Sequence, residues 1–342
     1  MTVSLRTFTA ALLAAGSLTL AYPASAQDCD RTCLEGWVDS YLDALAKHDT
    51  DAVKLADDVR FTANGQRLEV GDGIWRTFKA KGKFSIVVAD VPAQQVGAII
   101  TFAEEGPEGA GGALGVRLKI RNGEIVEIEQ RETHDPEVLA LMDATPVRPA
   151  FARAVTPAEH MSRRDLARIA DAYFGAIQLN DGKGFYPVGD DCDRYTNGMH
   201  ATNVPTPAGE TRPDPKTSTV LTNQWSCREQ FESGLLHFVN RVRDRRIVAI
   251  DQERGLVFAL GFFDHSAGDT RTFTIPDGRT VTAGPTTPFT WSIVEIFKIT
   301  GGLIHEIQAL ELERPYAMTS GWGSWEDNMS DKPRDETGVP YE

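Results

Sequence analysis

Two stretches of the chain repeat one order of apolar and polar positions. Residues 34–132 and 162–314 each open with apolar residues at helical spacing, GWVDSYLDALAKHD from Gly36 and ARIADAYFGAIQLND from Ala167, and each predicts an amphipathic helix. Written one above the other, they set Asp39 over Asp171 and Tyr41 over Tyr173. VRFTANG from Val59 then falls over DRYTNG from Asp193, with Arg60 over Arg194 and Phe61 over Tyr195. Two β-rich hairpins follow in each copy. VVADVPAQQVGAIITFAEE matches VAIDQERGLVFALGFFDH, and LGVRLKIRNGEIVEIEQ matches SIVEIFKITGGLIHEIQ. Asn122-Gly123 and Gly301-Gly302 are the dipeptides that tight primed turns require.

A helix with one apolar stripe and a sheet with one apolar face must cover each other, which predicts an α+β fold of two tandem units, N-terminal helices on an antiparallel sheet in each. The first unit spans 27–132 and the second 162–320. Between them, residues 133–161 carry prolines and no sustained period, and read as a linker with one short helix. The tail, 321–342, is too polar for a core, with Trp322 and Trp325 as its anchors. Residues 1–26 hold one charge, Arg6, a run rich in Ala and Leu, and the ending Ala24-Ser25-Ala26. This is the pattern of a signal peptide cleaved after Ala26, so the expected location is periplasmic or secreted.

The net charge is −14, and −15 once the leader is removed. That balance disfavours nucleic acid and anionic lipid as partners. Beyond the leader no apolar run is long enough for a membrane helix, so no membrane insertion is expected. Four cysteines remain, Cys29, Cys33, Cys192 and Cys227. In an oxidising compartment they read as two disulfides, with proximity favouring 29–33 and 192–227 among three pairings. A zinc site is disfavoured because neither C-x-x-C nor a paired His motif is present. No Gly-rich phosphate loop, G-x-S-x-G elbow or HExxH occurs, and no cofactor or metal is expected.

The opening helix with YLDALAKHD, the short Arg-Phe-Thr strand with its Asn-Gly, and the two late hairpins resemble the nuclear transport factor 2-like (SnoaL-like, cystatin-type) superfamily. The resemblance covers both units. It implies cone-shaped units in which a curved sheet wraps the helices around a pocket. Its members include isomerases, dehydratases, cyclases and lyases beside proteins that only bind or assemble, so fold does not decide function.

Because the copies can be aligned, each is a control for the other. Trp291, Ile293, Glu295, Phe297 and Ile299 share a strand face, and Glu295 stands where the first copy has Val116. His305 shares a face with Ile307 and Ala309, against Val126 in the first copy. Two polar groups replacing valines on adjoining strands would be costly as mere packing. The plain alternatives are that they pair with each other or face the other copy across a polar interface. Asp193, Tyr195, Asn197 and His200 form a segment richer than its twin, in which Tyr195 could donate to an oxyanion and Asp193 with His200 could move a proton. For His200 a plain turn is the simpler reading, and the shared Arg60 and Arg194 look architectural.

Alternation sets Arg241, Arg243 and Arg245 on one face of a strand, with Asp244 and Arg246 on the other. If the first face lines a pocket mouth, Arg243 and Arg245 suit a carboxylate or phenolate. His265 ends the next strand on the face of Phe263, and Trp291 and Phe297 would line the ligand. Tyr173 lies on the opening helix, where the resemblance places pocket residues. Together these readings predict an exported, cofactor-independent lyase, dehydratase or isomerase acting on a small, partly apolar substrate. The second unit would hold the site and the first would be a degenerate copy. His305 would be acid or base, Glu295 its partner, and Tyr195 or Tyr173 the stabiliser of negative charge, with Asp193 and His265 as further candidates. The alternative is a binding or assembly protein without turnover; self-association is left open.

Overall fold

A computed structural model describes Met1 and residues 28–340. The leader expected over 1–26 lies outside the described residues except for Met1, and so do the last two positions of the tail.

The first unit begins with α1 (Arg31–Lys47), capped by Asp30, whose side chain accepts from the Cys33 amide. The strands β1 (Leu55–Ala63), β2 (Gln66–Arg67), β3 (Phe78–Asp90), β4 (Gln95–Glu104), β5 (Gly111–Arg121) and β6 (Glu124–Thr133) form one sheet in the order β2-β1-β6-β5-β4-β3. A connecting helix, α2 (Pro136–Ala144), leads to the second unit. There α3 (Arg163–Leu179), with Ser162 as its N-cap, precedes β7 (Val188–Thr196), β8 (Met199–His200) and α4 (Cys227–Glu232). Next come β9 (Arg241–Asp251), β10 (Leu256–His265), a small hairpin of β11 (Thr272–Thr274) and β12 (Thr280–Thr282), then β13 (Phe289–Thr300) and β14 (Leu303–Arg314). The tail adds α5 (Trp325–Met329) and β15 (Arg334–Asp335). The second sheet runs β15-β9-β10-β13-β14-β7-β8, so apart from β15 it repeats the order of the first.

The fold is α+β with two sheet-rich halves. Both sheets are mixed, which corrects the expectation of antiparallel sheets: β1 runs parallel to β6, β7 to β14, and β15 to β9. The cause is the chain path, because β1 and β7 enter beside the last hairpin strand and point the same way. The turns expected at 122–123 and 301–302 are present, with φ of 54° and 76° in one and 58° and 83° in the other.

Each sheet packs one face on its own helix. Leu34, Val38, Tyr41 and Leu45 of α1 join Phe61, Val116, Leu118 and Ile128 in one core, while Leu166, Tyr173, Phe174 and Ile177 of α3 join Val257, Phe263, Ile293, Phe297 and Ile307 in another. The opposite faces pack against each other through Ile86, Ile99, Phe258, Val294 and Ile296. Two glycines permit this approach. A Cβ on Gly97 would lie 2.6 Å from the Phe258 ring, and one on Gly115 2.7 Å from Val294.

Ion pairs complete the join. Arg163 Nη2 donates to Asp90 (2.7 Å), and Arg246 Nη1 donates to Glu129 (3.0 Å), which also lies 3.4 Å from Arg117 and Arg131. The connecting segment takes part, since Met142 and Phe151 are buried in the intersheet core. The tail straps the join. Trp322 is buried beneath the guanidinium groups of Arg60 and Arg117 at 3.9 and 4.5 Å from its ring centre, Arg334 pairs with Asp244, and Glu336 accepts from Arg246 (2.9 Å). Trp325, expected as a second anchor, is exposed because it lies on the first turn of a five-residue helix turned to solvent.

The cysteines pair as 29–33 and 192–227, which fits a secreted or periplasmic protein. Among the described residues no helix is long and apolar enough to cross a membrane.

Candidate functional site

Glu295 sits in the middle of β13 on the face covered by α3. Its side chain is fully buried, and neither carboxylate oxygen has a hydrogen-bond partner among the described residues. The ladders confirm its counterpart: Ala98–Val116–Gln130 in the first sheet corresponds to Ala259–Glu295–Ala309 in the second. Burial pushes the Glu295 carboxyl well above the usual range, the charge of Glu311 adds to this, and Arg194 opposes it.

Three residues complete the cluster. Tyr173, from α3, packs edge-on against Phe297 at 5.1 Å, two residues along the strand from Glu295, and its hydroxyl accepts from Arg194 Nη1 at 3.3 Å. Burial raises the Tyr173 pKa, and the charge of Glu295 raises it further. Arg194 also donates to Gln230 Oε1 (2.6 Å), and Gln230 is fixed by donating to the carbonyls of Ala201 and Thr222. Chemically, the arrangement joins a carboxyl whose ionisation is opposed by burial, a phenol and a guanidinium inside an apolar shell.

Arg194 corrects the alignment made on sequence. Arg194 pairs with Ile307, whereas the equivalent Ile128 pairs with Phe61, so Arg194 takes the place of Phe61 and not of Arg60. Both ladders carry the same irregularity, between Leu55 and Arg60 in β1 and between Val188 and Asp193 in β7, so the one-residue offset comes from matching Arg-Phe-Thr to Arg-Tyr-Thr across RFTANG and RYTNG, which differ in length by one residue. Arg60 is the architectural one, held by the Gly321 carbonyl and Trp322.

His305 does not join Glu295. A bulge between Lys298–Glu306 and Ile299–Ile304 leaves it out of the alternation, about 13 Å along the sheet from Glu295 at the usual rise per residue. Its Nδ1 lies 2.6 Å from Asp191, its Nε2 lies 3.2 Å from the Thr300 carbonyl, and its ring borders an open cleft of about 230 Å³ with Lys298 and Glu306. Tyr195 also faces away. It lies between His200, stacked at 4.4 Å, and the guanidinium of Arg148 at 4.2 Å. Asp193 accepts from His200 (2.6 Å) and Thr202 (3.0 Å), so it ties down the loop, while Asn197 exchanges two hydrogen bonds with the backbone of Glu311.

The arginine face also differs from the sequence reading. Asp244 adopts a left-handed φ of 49° and the β9 ladder slips between Arg243 and Arg246. The bulge sends Arg243 to Asp264 (2.8 Å) and Arg246 to Glu129, both on the intersheet side, and turns Arg245 to Asp171 of α3 (2.8 Å). Arg243 and Arg245 are thus held by acids of this chain. The polar interface that sequence allowed is made by Arg246 with Glu129 and by Arg163 with Asp90, and Glu295 lies on the opposite face of the sheet. His265 does share the face of Phe263, at the end of β10 and against Trp291.

Sequence reasoning missed Glu311 and Gln230 and misjudged Arg194. Glu311 was within reach by alternation from Ile307 and Ala309; Gln230 was not, since only tertiary packing brings α4 there. Among the described residues no group of three or more His, Cys, Asp or Glu side chains is placed to hold a metal ion.

Residues 159–310 match the model of a domain of unknown function, DUF8021. The matched stretch begins just before α3 and ends within β14, so the second unit is what this chain has in common with that family. No curated protein and no solved structure matches the chain.

Proposed function

We propose that the second unit is an exported, cofactor-independent acid–base enzyme, a lyase, dehydratase or isomerase, acting on a small, partly apolar molecule held against its helix-covered face. The observation that carries this reading is Glu295: a fully buried carboxyl with no partner among the described residues, in the place of a valine. A carboxyl held protonated can give a proton to a bound molecule and take one back. Arg194 and Tyr173 are the groups that would steady developing negative charge. The resemblance to the nuclear transport factor 2-like superfamily supports a cone-shaped pocket at this position. His305, bound to Asp191 outside this cluster, has no part in the mechanism.

The test is untargeted mass spectrometry of aromatic and terpenoid compounds incubated with the unmodified protein and with Glu295→Gln, both checked for folding. A compound consumed only by the unmodified protein supports the reading, and the mass change separates water or fragment loss from isomerisation. Equal consumption by both proteins removes Glu295 as proton carrier. Compounds retained by the unmodified protein but never altered would favour binding without turnover.

A further inference from the structure

At the end of β10, remote from Glu295, His265 is fully buried and neither ring nitrogen has a hydrogen-bond partner among the described residues. Its ring stacks on Phe289 at 4.4 Å, meets Trp291 edge-on at 4.5 Å, and has Phe238 at 5.8 Å. All three neighbours are half-buried, so this aromatic cage reaches the surface.

The first unit shows what the fold needs at this place. With Val116 and Glu295 in common register, His265 corresponds to Glu104, Phe289 to Ala110 and Trp291 to Gly112. Glu104 is bonded, accepting from Thr77 (2.5 Å) and lying 2.7 Å from His134 Nδ1. The connection that follows is also different. Residues 105–110 suffice in the first unit, whereas residues 266–288 of the second carry the β11–β12 hairpin over a small core of Trp225, Leu235, Phe273, Ile275 and Val281. Gly284 of that segment, at a φ of 85°, lies so close to Phe238 that a Cβ there would be 2.6 Å from the Phe238 Cβ. The second unit has therefore added two rings, a covering segment and an unbonded imidazole at one end of its sheet, where Phe238 also packs.

A buried polar group left unbonded is costly, so an imidazole kept this way points to a partner that arrives from outside. A neutral imidazole presents one N–H donor and one bare acceptor. A hydroxyl can answer either, and flat apolar rings suit the cage walls. An anion would find no cation among the rings that line it.

We propose that this cage binds a flat, uncharged aromatic molecule bearing a hydroxyl, its ring packed among Phe238, Phe289 and Trp291 and its hydroxyl hydrogen-bonded to His265. Burial pushes the His265 imidazole down to about 4, so it is neutral at physiological pH. The site does not rest on the chemistry proposed for Glu295, which lies six residues, about 20 Å, along β13 from Phe289.

The experiment is isothermal titration of the mature protein with 2-naphthol, and with naphthalene and 2-naphthoate as controls. The expected result is binding of 2-naphthol, with naphthalene about five- to tenfold weaker for want of one hydrogen bond. 2-Naphthoate should bind no better than naphthalene. His265→Phe should bind 2-naphthol and naphthalene alike, and Trp291→Ala should lose both. Failure of the unmodified protein to bind 2-naphthol at millimolar concentration, or equal affinity for naphthalene, overturns the proposal. Should the variants fail to fold, ring-nitrogen NMR of the histidine-labelled unmodified protein decides: one histidine must shift with 2-naphthol and not with naphthalene, and a spectrum that does not move overturns it.

Discussion

Arg246 of the second unit donates to Glu129 of the first at 3.0 Å, across 117 residues of sequence and inside the join between the two sheets. Burial, the largest influence, would raise the Glu129 pKa, but the guanidinium groups of Arg246, Arg131 and Arg117 together hold it at about 2. An acid whose folded pKa is depressed contributes stability above its unfolded pKa and loses it as pH falls through the folded value. Stability should therefore decline from about pH 4.5 toward pH 2 as this carboxylate is protonated. Glu129→Gln leaves three guanidiniums without their central acid and should cost roughly 3–5 kcal/mol in chemical denaturation at pH 7. A loss below 1 kcal/mol would remove Glu129 as the keystone of the join.

Glu295 predicts the opposite slope. With its folded pKa raised, the folded protein keeps a proton that the unfolded chain releases, so stability falls as pH rises above the unfolded value near 4.5. The limiting slope is about 1.4 kcal/mol per pH unit for one proton. Glu295→Gln removes the titrating group. Its stability relative to the unmodified protein should grow between pH 5 and pH 7, and urea midpoints at three pH values suffice to see it.

His305→Ala should be nearly silent in both stability and turnover. Its ring is part-exposed at an open cleft, bonded to an exposed aspartate, and an exposed pair of this kind contributes about 1 kcal/mol or less. Loss of turnover with an unchanged melting temperature would return His305 to the mechanism.

Cys192–Cys227 closes a loop of sequence separation 35, against 4 for Cys29–Cys33. By chain entropy the longer loop is worth about 4 kcal/mol and the shorter about 2. Paired Cys→Ser replacements should lower the urea midpoint in that order.

Much of the fold was legible because two copies agreed. The opening helices, the hairpins and the two glycine-containing turns all follow from local pattern and recur at matching places. Glu295 was legible for the same reason, a carboxyl on an apolar stripe whose twin is Val116. What failed were faces read by alternation across a bulge. His305 and Arg246 each lie beyond an extra residue that the sequence does not announce, and the arginine face divides at the bulge of β9, Arg245 toward α3 and Arg243 toward the other sheet. Tyr195 and Arg194 exchanged roles for a different reason: RFTANG and RYTNG differ in length by one residue, and matching their Arg-Phe-Thr and Arg-Tyr-Thr starts put the difference on the wrong side. Gln230 was out of reach, because its position depends on how α4 packs.

The strap formed by the tail completes the charge pairing of the join. Arg243 uses the carbonyls of Met318 and Asn328, Arg246 uses Glu336, and Asp244 uses Arg334, so the buried charges of β9 gain their last partners from residues at the far end of the described chain. Until residues 318–336 fold back over the join, Arg243, Arg246 and Asp244 of β9 lack those partners, although the apolar core between the sheets needs none of them. Residues 318–336 thus act as the latch of the join, closed by charge over an apolar core.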